Sequence, residues 1–446
     1  MSTFAVTPFV VRALGADQYG VVGIGITLYQ VGLVIVSLGF PAAITRHAIV
    51  GSSGPAGASG LTLVGAVGAI LLGALAAATS GWWAGLVIEG QSPALLIAPV
   101  VSSVGLGIVM LAQSFLRGVD RVREFVLLGM MAAILPPLSG LIFILGGEAS
   151  AARYLWPMAI AHVTVGLIAL LGVVRLCRPV IVAAEIRRSL WIGLPTLPHQ
   201  MATSVLTVTL VVSAGSVVGV ASAGALQLAL LLGTAPMVVI GAFNNAWAPL
   251  IYRTPDDDRK RVLTETTWLV SMLCLVLVTG YASVAPLLAF FIGGAAGASI
   301  LPPSLVAAAG ASFMVVYLAH VHLVFLRGRT WPLALTTPTS VAVALAVVYL
   351  VLHVTGVDDL RLFALALPLF YGLQSVAAIL LARTSGYDLP RLSGSIGFLV
   401  AASACCIALA FLSPPPVVGI LAFCSSVAFV AFFVLRWRRR TQDSRL

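Results

Sequence analysis

Charged residues are scarce in this sequence: only 9% of its 446 residues are Asp, Glu, Lys or Arg, while 60% are hydrophobic. The mean hydropathy of +1.11 excludes an ordinary soluble domain. A Walker A sequence is absent, so nucleotide hydrolysis by that route is excluded. The five cysteines show no disulfide or zinc spacing, and we expect no metal and no cofactor.

Long hydrophobic runs dominate the chain instead. About 20 apolar residues cross a hydrocarbon core of about 30 Å as a helix. The runs are continuous rather than alternating, which favours helices over barrel strands. We therefore predict an all-α polytopic membrane protein with about 14 transmembrane helices. The predicted spans are 3–14, 20–41, 60–88, 94–116, 125–146, 154–174, 190–214, 221–251, 264–291, 301–326, 331–354, 361–382, 393–412 and 416–435.

The positions of the basic residues predict the orientation, because cytoplasmic loops retain Lys and Arg during insertion. With both termini cytoplasmic, all but three of the 24 basic residues fall on the inner side, and the exceptions are Arg12, Arg153 and Arg361. The net charge of +10 is spread over short inner loops, so nucleic-acid binding is not predicted.

The first predicted span is short. Residues 3–14 make only about 18 Å of helix, too little to cross the hydrocarbon core, and we expect the true start to lie upstream of Met1. The predicted outer loops are on the order of ten residues each, which leaves no room for a soluble active site. The pair Asp358 and Asp359 is better explained as part of a solvated loop than as a catalytic dyad, so we do not expect an enzyme.

Three segments resemble a known family. Residues 8–48, PFVVRALGADQYGVVGIGITLYQVGLVIVSLGFPAAITRHA, are similar to the start of polysaccharide flippases. Residues 193–200, GLPTLPHQ, and 241–252, GAFNNAWAPLIY, look like the second half of the same family. The chain thus resembles an oligosaccharide flippase of the multidrug/oligosaccharidyl-lipid/polysaccharide exporter superfamily.

The resemblance implies a fold and a function. The fold would be two six-helix lobes, 1–189 and 190–385, that enclose a V-shaped cavity, followed by two more helices and a basic tail in 386–446. The function would be to flip an undecaprenyl-diphosphate-linked oligosaccharide from the inner to the outer leaflet of a bacterial plasma membrane, for cell-surface polysaccharide biosynthesis. The implied partners are this anionic lipid-linked oligosaccharide and membrane lipids, with a glycan polymerase left open.

The charge of the predicted cavity also bears on the substrate. Drug and cation antiporters of this superfamily hold cations on buried carboxylates, and this chain has no Asp or Glu well inside a predicted span. The buried polar residues are instead cationic or neutral, which fits an anionic substrate. A drug or metabolite exporter on the same fold is the alternative, and a membrane glycosyltransferase or glycan polymerase is a more distant one. The candidate substrate-binding residues are Arg12, Arg46, His199, Gln200, Asn244, Asn245 and Gln30.

Each candidate also has a structural interpretation. Arg12 can snorkel to the outer interface, and Arg46 can serve only to fix the topology. His199 can form a neutral hydrogen bond between helices, and the same applies to Asn244 and Asn245. Sequence alone leaves these alternatives open.

Overall fold

The structure, a computed structural model, describes residues 2–88, 92–194, 197–294, 297–326, 331–384 and 386–443. These residues are α-helical apart from short turns and breaks, and no strand occurs among them. This confirms the predicted all-α class. Two compact units divide the chain, Met1–Gln227 and Leu228–Leu446. The lobes predicted over 1–189 and 190–385 stay predictions.

The helices that begin within the first unit are α1 (Ser2–Ser37), α2 (Phe40–Val50), α3 (Gly54–Ala78), α4 (Ser80–Val87), α5 (Pro93–Gly118), α6 (Val122–Leu145), α7 (Ala151–Leu176), α8 (Ala183–Gly193), α9 (Leu197–Val217) and α10 (Val220–Gly233). The helices that follow are α11 (Ala235–Arg253), α12 (Asp256–Gly293), α13 (Gly297–Ala308), α14 (Gly310–Leu326), α15 (Trp331–Thr355), α16 (Leu360–Ala364), α17 (Ala366–Arg383), α18 (Ser393–Leu412) and α19 (Val417–Asp443).

The helices are long and apolar enough for 13 candidate membrane spans among the described residues. The sequence predicted one more because α1 contains both of the first two apolar runs. Gly15 breaks α1 with φ 72° and ψ 176°, a conformation that a residue without a Cβ adopts readily. The chain is therefore a multi-pass membrane protein whose first span has a break.

Many large apolar side chains lie on the surface of the protein. Leu71 is 65% exposed and Leu287 is 69% exposed, although both lie inside candidate spans. A soluble protein seldom exposes so much apolar surface, whereas a bilayer covers it with hydrocarbon. The exposed side chains therefore agree with the hydropathy of the spans.

The core of the first unit supports the elements that carry the candidate site. Phe40 and Ile44 of α2 pack with Leu111 and Phe115 of α5 in one cluster of fully buried side chains. Because lipid tails are as apolar as these side chains, close packing rather than escape from water stabilises the cluster. It fixes α2 against the second half of α5.

In the second unit, aromatic rings join three helices. The ring centroid of Phe398 on α18 lies 6.3 Å from that of Trp268 on α12 and 5.8 Å from that of Phe433 on α19. Both pairs are edge-on, the arrangement that aromatic quadrupoles prefer. These contacts hold the last two helices against α12.

The long helix α12 gives a direct test of the predicted orientation. A reporter fused after Arg261, in the second turn of α12, should report cytoplasm, because the charge pattern places this end inside. A reporter fused within 293–299, at the other end, should report the outer side. An alkaline phosphatase and fluorescent protein pair measures both positions, and reversed signals at both would contradict the orientation.

Candidate functional site

A backbone break after α1 creates the element that carries Arg46. Leu38 has φ 51° and Gly39 has φ 71°, so two successive residues are left-handed and the helix cannot continue. Pro41 then occupies the first turn of α2, where its missing N–H costs nothing. The short helix α2 thus starts afresh and presents Arg46 near its C-terminal end.

Next to this break the first unit has a cavity of about 500 Å³. Arg46 reaches it from α2, Arg117 from the last turn of α5, and Gln200 from the first turn of α9. Three helices that are distant in sequence therefore converge on it. The described lining residues are Gly39, Pro41, Thr45, Arg46, Arg117 and Gln200.

The cavity is positively charged. Arg46 and Arg117 both have exposed side chains, and none of the described lining residues is acidic. The guanidinium of Arg117 also lies 5.9 Å from the ring centroid of Phe125, a cation–π distance that helps to orient it. Two arginines facing one cavity provide a fork of donors suited to phosphate.

The wall that bears Arg46 is tied to its neighbours. The hydroxyl of Thr45 donates to the carbonyl of Ser114 at 2.9 Å, which links α2 to α5. The same hydroxyl also lies 3.2 Å from the carbonyl of Pro41. The side chain of Thr45 therefore shapes the cavity by holding its wall rather than by offering its hydroxyl outward.

Helix α8 holds the C-terminal end of α2. The carboxylate of Glu185 pairs with Nε2 of His47 at 3.1 Å and accepts hydrogen bonds from Ser52 at 3.0 Å and Ser53 at 2.8 Å. The side chains of His47 and Glu185 are only 13% and 14% exposed, so water screens the pair little. His47 directly follows Arg46 in the chain.

The other end of α8 holds the beginning of α2. Gly193, the last residue of α8, packs backbone to backbone against Gly39, and a Cβ added at Gly39 would lie 2.6 Å from the Gly193 carbonyl group. Only glycine fits at this crossing, which also needs the positive φ of Gly39. We name the two contacts, Glu185 with His47 and Gly193 with Gly39, the α8 clasp.

The structure brings two of the predicted residues together, Arg46 and Gln200. Arg12 lies exposed on α1 before the break at Gly15, and it does not line the cavity. Gln30 on α1 and His199 on α9 are half-buried and do not line it either. The predicted roles of these three residues stay predictions.

Arg117 is a lining residue that sequence reasoning assigned only to topology. A signal was present, because Arg117 directly follows the predicted span 94–116 and lies on the same side as Arg46. That signal is shared by every arginine of the inner loops, so it could not single out Arg117. The hydrogen bonds of Glu185 were likewise invisible, since they join residues about 130 positions apart in the chain.

Asn244 and Asn245 belong to α11 in the second unit. The side chain of Asn245 lies outside the described residues, and Oδ1 of Asn244 is buried with no hydrogen-bond partner among those described. A buried carbonyl oxygen without a donor is costly, so Asn244 is the better candidate for a ligand contact.

The asparagine pair can be tested directly. Asn244→Ala should lower transport at little cost in thermal stability, because Oδ1 of Asn244 accepts no hydrogen bond from the described residues that the substitution would remove. Transport assays and thermal unfolding of Asn244→Ala and Asn245→Ala measure this, and the two variants should differ. Parallel loss of expression and stability in both, with no selective loss of transport, would show that the pair is structural.

The described residues contain no group of three or more His, Cys, Asp or Glu side chains that could hold a metal ion. The described lining residues offer the cavity arginine and amide donors. Such donors bind and orient an anion, and they offer neither a nucleophile nor a general base.

Comparisons with known proteins give a likeness of fold. No family model matches the chain, and no curated protein matches its sequence. A solved MATE family multidrug resistance transporter of the MOP superfamily, in its inward-facing conformation, matches with a TM-score of 0.68 at 14% identity over 86% of this chain and 94% of that one. The lipid II flippase MurJ, in an inward closed conformation, matches with a TM-score of 0.60 at 12% identity over 97% and 98%.

The chain has the fold that these MOP superfamily transporters share. A MOP superfamily transporter from Pyrococcus furiosus, whose structure is described as having a binding pocket of reverse polarity, also matches, with a TM-score of 0.57 at 14% identity over 85% and 90%. The fold of the superfamily predicted from the sequence is thus confirmed over nearly the whole chain. The matched structures include a drug exporter and a lipid flippase, so the fold alone does not assign a function, which must be argued from the site.

Proposed function

We propose that this protein is a transporter that flips an anionic lipid-linked oligosaccharide from the inner to the outer leaflet of a bacterial plasma membrane. The observation that carries the proposal is the cavity of the first unit, where Arg46 and Arg117 face one space together with Gln200. The MOP fold, seen in transporters that include a lipid flippase, supports it independently.

The arginine pair suits a diphosphate headgroup. A guanidinium binds phosphate oxygens through two parallel N–H donors, so two arginines can replace much of the hydration of a diphosphate. Gln200 adds an amide, which can donate to a sugar hydroxyl or accept from one. A cationic drug would meet repulsion from both arginines at this place.

The proposed mechanism is a change of conformation with no bond made or broken. An arginine in hydrocarbon costs at least about 2.5 kcal/mol, so Arg46 and Arg117 must face a wet cavity. The headgroup moves through that cavity while the lipid tail stays in the bilayer. The α8 clasp fixes the position of α2, and hence of Arg46, in the state described here.

The proposal can be tested in a strain that lacks the gene, by measuring on which leaflet the lipid-linked oligosaccharide lies. Deletion of the gene should leave lipid-linked oligosaccharide on the inner leaflet, protected from a membrane-impermeant glycan-binding probe in spheroplasts. Expression of the parent chain should restore access of the probe. Full exposure of the glycan on the outer leaflet of the deletion strain, with no other flippase present, would refute the proposal.

A multidrug exporter is the second candidate, because the MATE transporter matches with a TM-score of 0.68. Such a transporter should lower the accumulation of cationic dyes in whole cells. We expect dye accumulation to be equal with and without the protein, since the described cavity of the first unit is cationic. Dye efflux that depends on this chain would favour the second candidate.

A further inference from the structure

Arg361 and Arg153, two of the three arginines that the charge pattern places at the outer side, differ in their neighbours. Arg361 is neutralised inside the protein, because its Nε donates to Asp359 at 2.6 Å and its guanidinium lies 4.8 Å from the ring centroid of Phe411. Partial burial acts to raise the pKa of Asp359, but the hydrogen bonds and charge of Arg361 outweigh it and hold that pKa below its ordinary value. Arg361 and Asp359 thus form a structural ion pair.

Arg153 has no such counter-charge in the part of the chain that the structure describes. It lies in the first turn of α7, its side chain is exposed, and its Nη1 donates to the backbone carbonyl of Glu148 at 3.5 Å. No described carboxylate forms an ion pair with it, whereas Arg361 has one two residues away. An exposed arginine on the outer side runs against the usual charge pattern and is open to an anion from outside the protein.

A slot of about 630 Å³ begins beside Arg153 and runs between α6 and α7. Its two hydroxyl side chains are bonded to the backbone of their own helices, since Ser139 donates to the carbonyl of Pro136 at 2.7 Å and Thr164 to that of Ile160 at 2.8 Å. The slot therefore presents hydrocarbon along its length and a cation at one end. The apolar walls include Met131, Leu135, Phe143, Trp156, Ile160 and Ile168.

The dimensions of the slot fit one leaflet. Its lining on α7 runs from Arg153 to Ile168, which is about 22 Å of helix. Half of the hydrocarbon core is about 15 Å, so the slot reaches from the headgroup zone to near the middle of the bilayer. A lipid chain fills such a groove lengthwise with its phosphate at the level of Arg153.

We propose that Arg153 and the α6–α7 slot form a binding site for an anionic phospholipid of the outer leaflet. The guanidinium binds the lipid phosphate, and one acyl chain lies in the slot. The site is separate from the cavity of Arg46 and Arg117, because α5 ends at that cavity and α7 begins at the slot, at opposite ends of the first unit. It does not depend on what the protein transports.

Native mass spectrometry of the purified full chain tests the site, with phosphatidylglycerol and phosphatidylcholine titrated separately. Arg153→Ala should weaken phosphatidylglycerol binding about tenfold, because a charged hydrogen bond to a lipid of net negative charge is lost. It should change phosphatidylcholine binding less, because the choline cation of that lipid already offsets the charge of its phosphate. Ala161→Phe, which fills the slot, should weaken both lipids. Arg153→Lys should retain part of the preference for phosphatidylglycerol.

Arg175→Ala is the matched control, because Arg175 lies exposed at the other end of α7 and outside the slot. It should bind both lipids like the parent, and thermal unfolding identifies any variant that is misfolded. Equal losses in Arg153→Ala and Arg175→Ala would overturn the site in favour of general charge attraction. Displacement of phosphatidylglycerol by an equimolar polyisoprenyl diphosphate would overturn it in favour of the transported lipid.

Discussion

Replacing both Arg46 and Arg117 by Ala should lower transport of a lipid-linked oligosaccharide by about a hundredfold or more. A charged hydrogen bond from an arginine to a bound phosphate is worth about 1.5–3 kcal/mol, and every 1.4 kcal/mol is a factor of ten in affinity. Each single variant should lose about tenfold. Probe access to glycan on spheroplasts measures the rate, and membrane fractions measure the amount of protein.

Four further variants make this prediction specific. Arg123→Ala is the matched control, because Arg123 is an exposed arginine near the start of α6 that does not line the cavity. Lys at position 46 or 117 should retain part of the activity, since phosphate still meets a cation. Arg12→Ala should lower transport if Arg12 binds substrate as the sequence predicts, and should change it little if the cavity alone holds the headgroup. Normal transport in the double Ala variant would remove both arginines from the site.

The sequence predicted the helices well because their cause is local. A continuous apolar run has to form a helix in a bilayer, where every backbone N–H and C=O needs an internal partner. The breaks were harder to predict. The run 20–41 reads as one span, yet α1 ends at Ser37 because Leu38 and Gly39 are both left-handed. Gly39 and Pro41 are turn residues, but the apolar residues around them mask that signal.

Helix α8 was missed for a different physical reason. Its residues were assigned partly to an inner loop and partly to the next span, because 11 residues cannot cross a membrane. The spacing of Glu185, Ser189 and Gly193 puts them on one face, and that face is turned toward the protein. A carboxylate on the packed face of a short helix is a signal for a tertiary ion pair, but it does not name the partner.

The candidate site could be predicted only in part. Arg46 and Gln200 were chosen for their residue type and for their positions relative to the predicted spans, and the structure places both at one cavity. Arg117 was not chosen, because a topology signal and a ligand-binding role put arginine at the same end of a helix. Which arginines meet at the cavity depends on how α2, α5 and α9 pack, and the spacing of residues along the chain does not predict that packing.

The second large effect that we expect is on substrate affinity, and it comes from Glu185 of the α8 clasp, which does not line the cavity. Glu185→Ala should weaken the apparent affinity for the lipid-linked substrate about tenfold, because His47, Ser52 and Ser53 lose their shared acceptor and α2 is released. A partly buried donor without an acceptor costs about 1–3 kcal/mol. Glu185→Gln keeps one acceptor oxygen and should restore part of the affinity.

A double-mutant cycle distinguishes positioning of Arg46 from a general loss of stability. If Glu185 acts by placing Arg46, the effect of Glu185→Ala should largely vanish in an Arg46→Ala background, since residues that act together are not additive. Glu124→Ala is the matched control, because the exposed pair of Glu124 with Arg121 at 3.0 Å should contribute little. Substrate affinity measured on the four proteins of the cycle decides the matter. Independent losses that simply add would show that the clasp stabilises the fold without positioning Arg46.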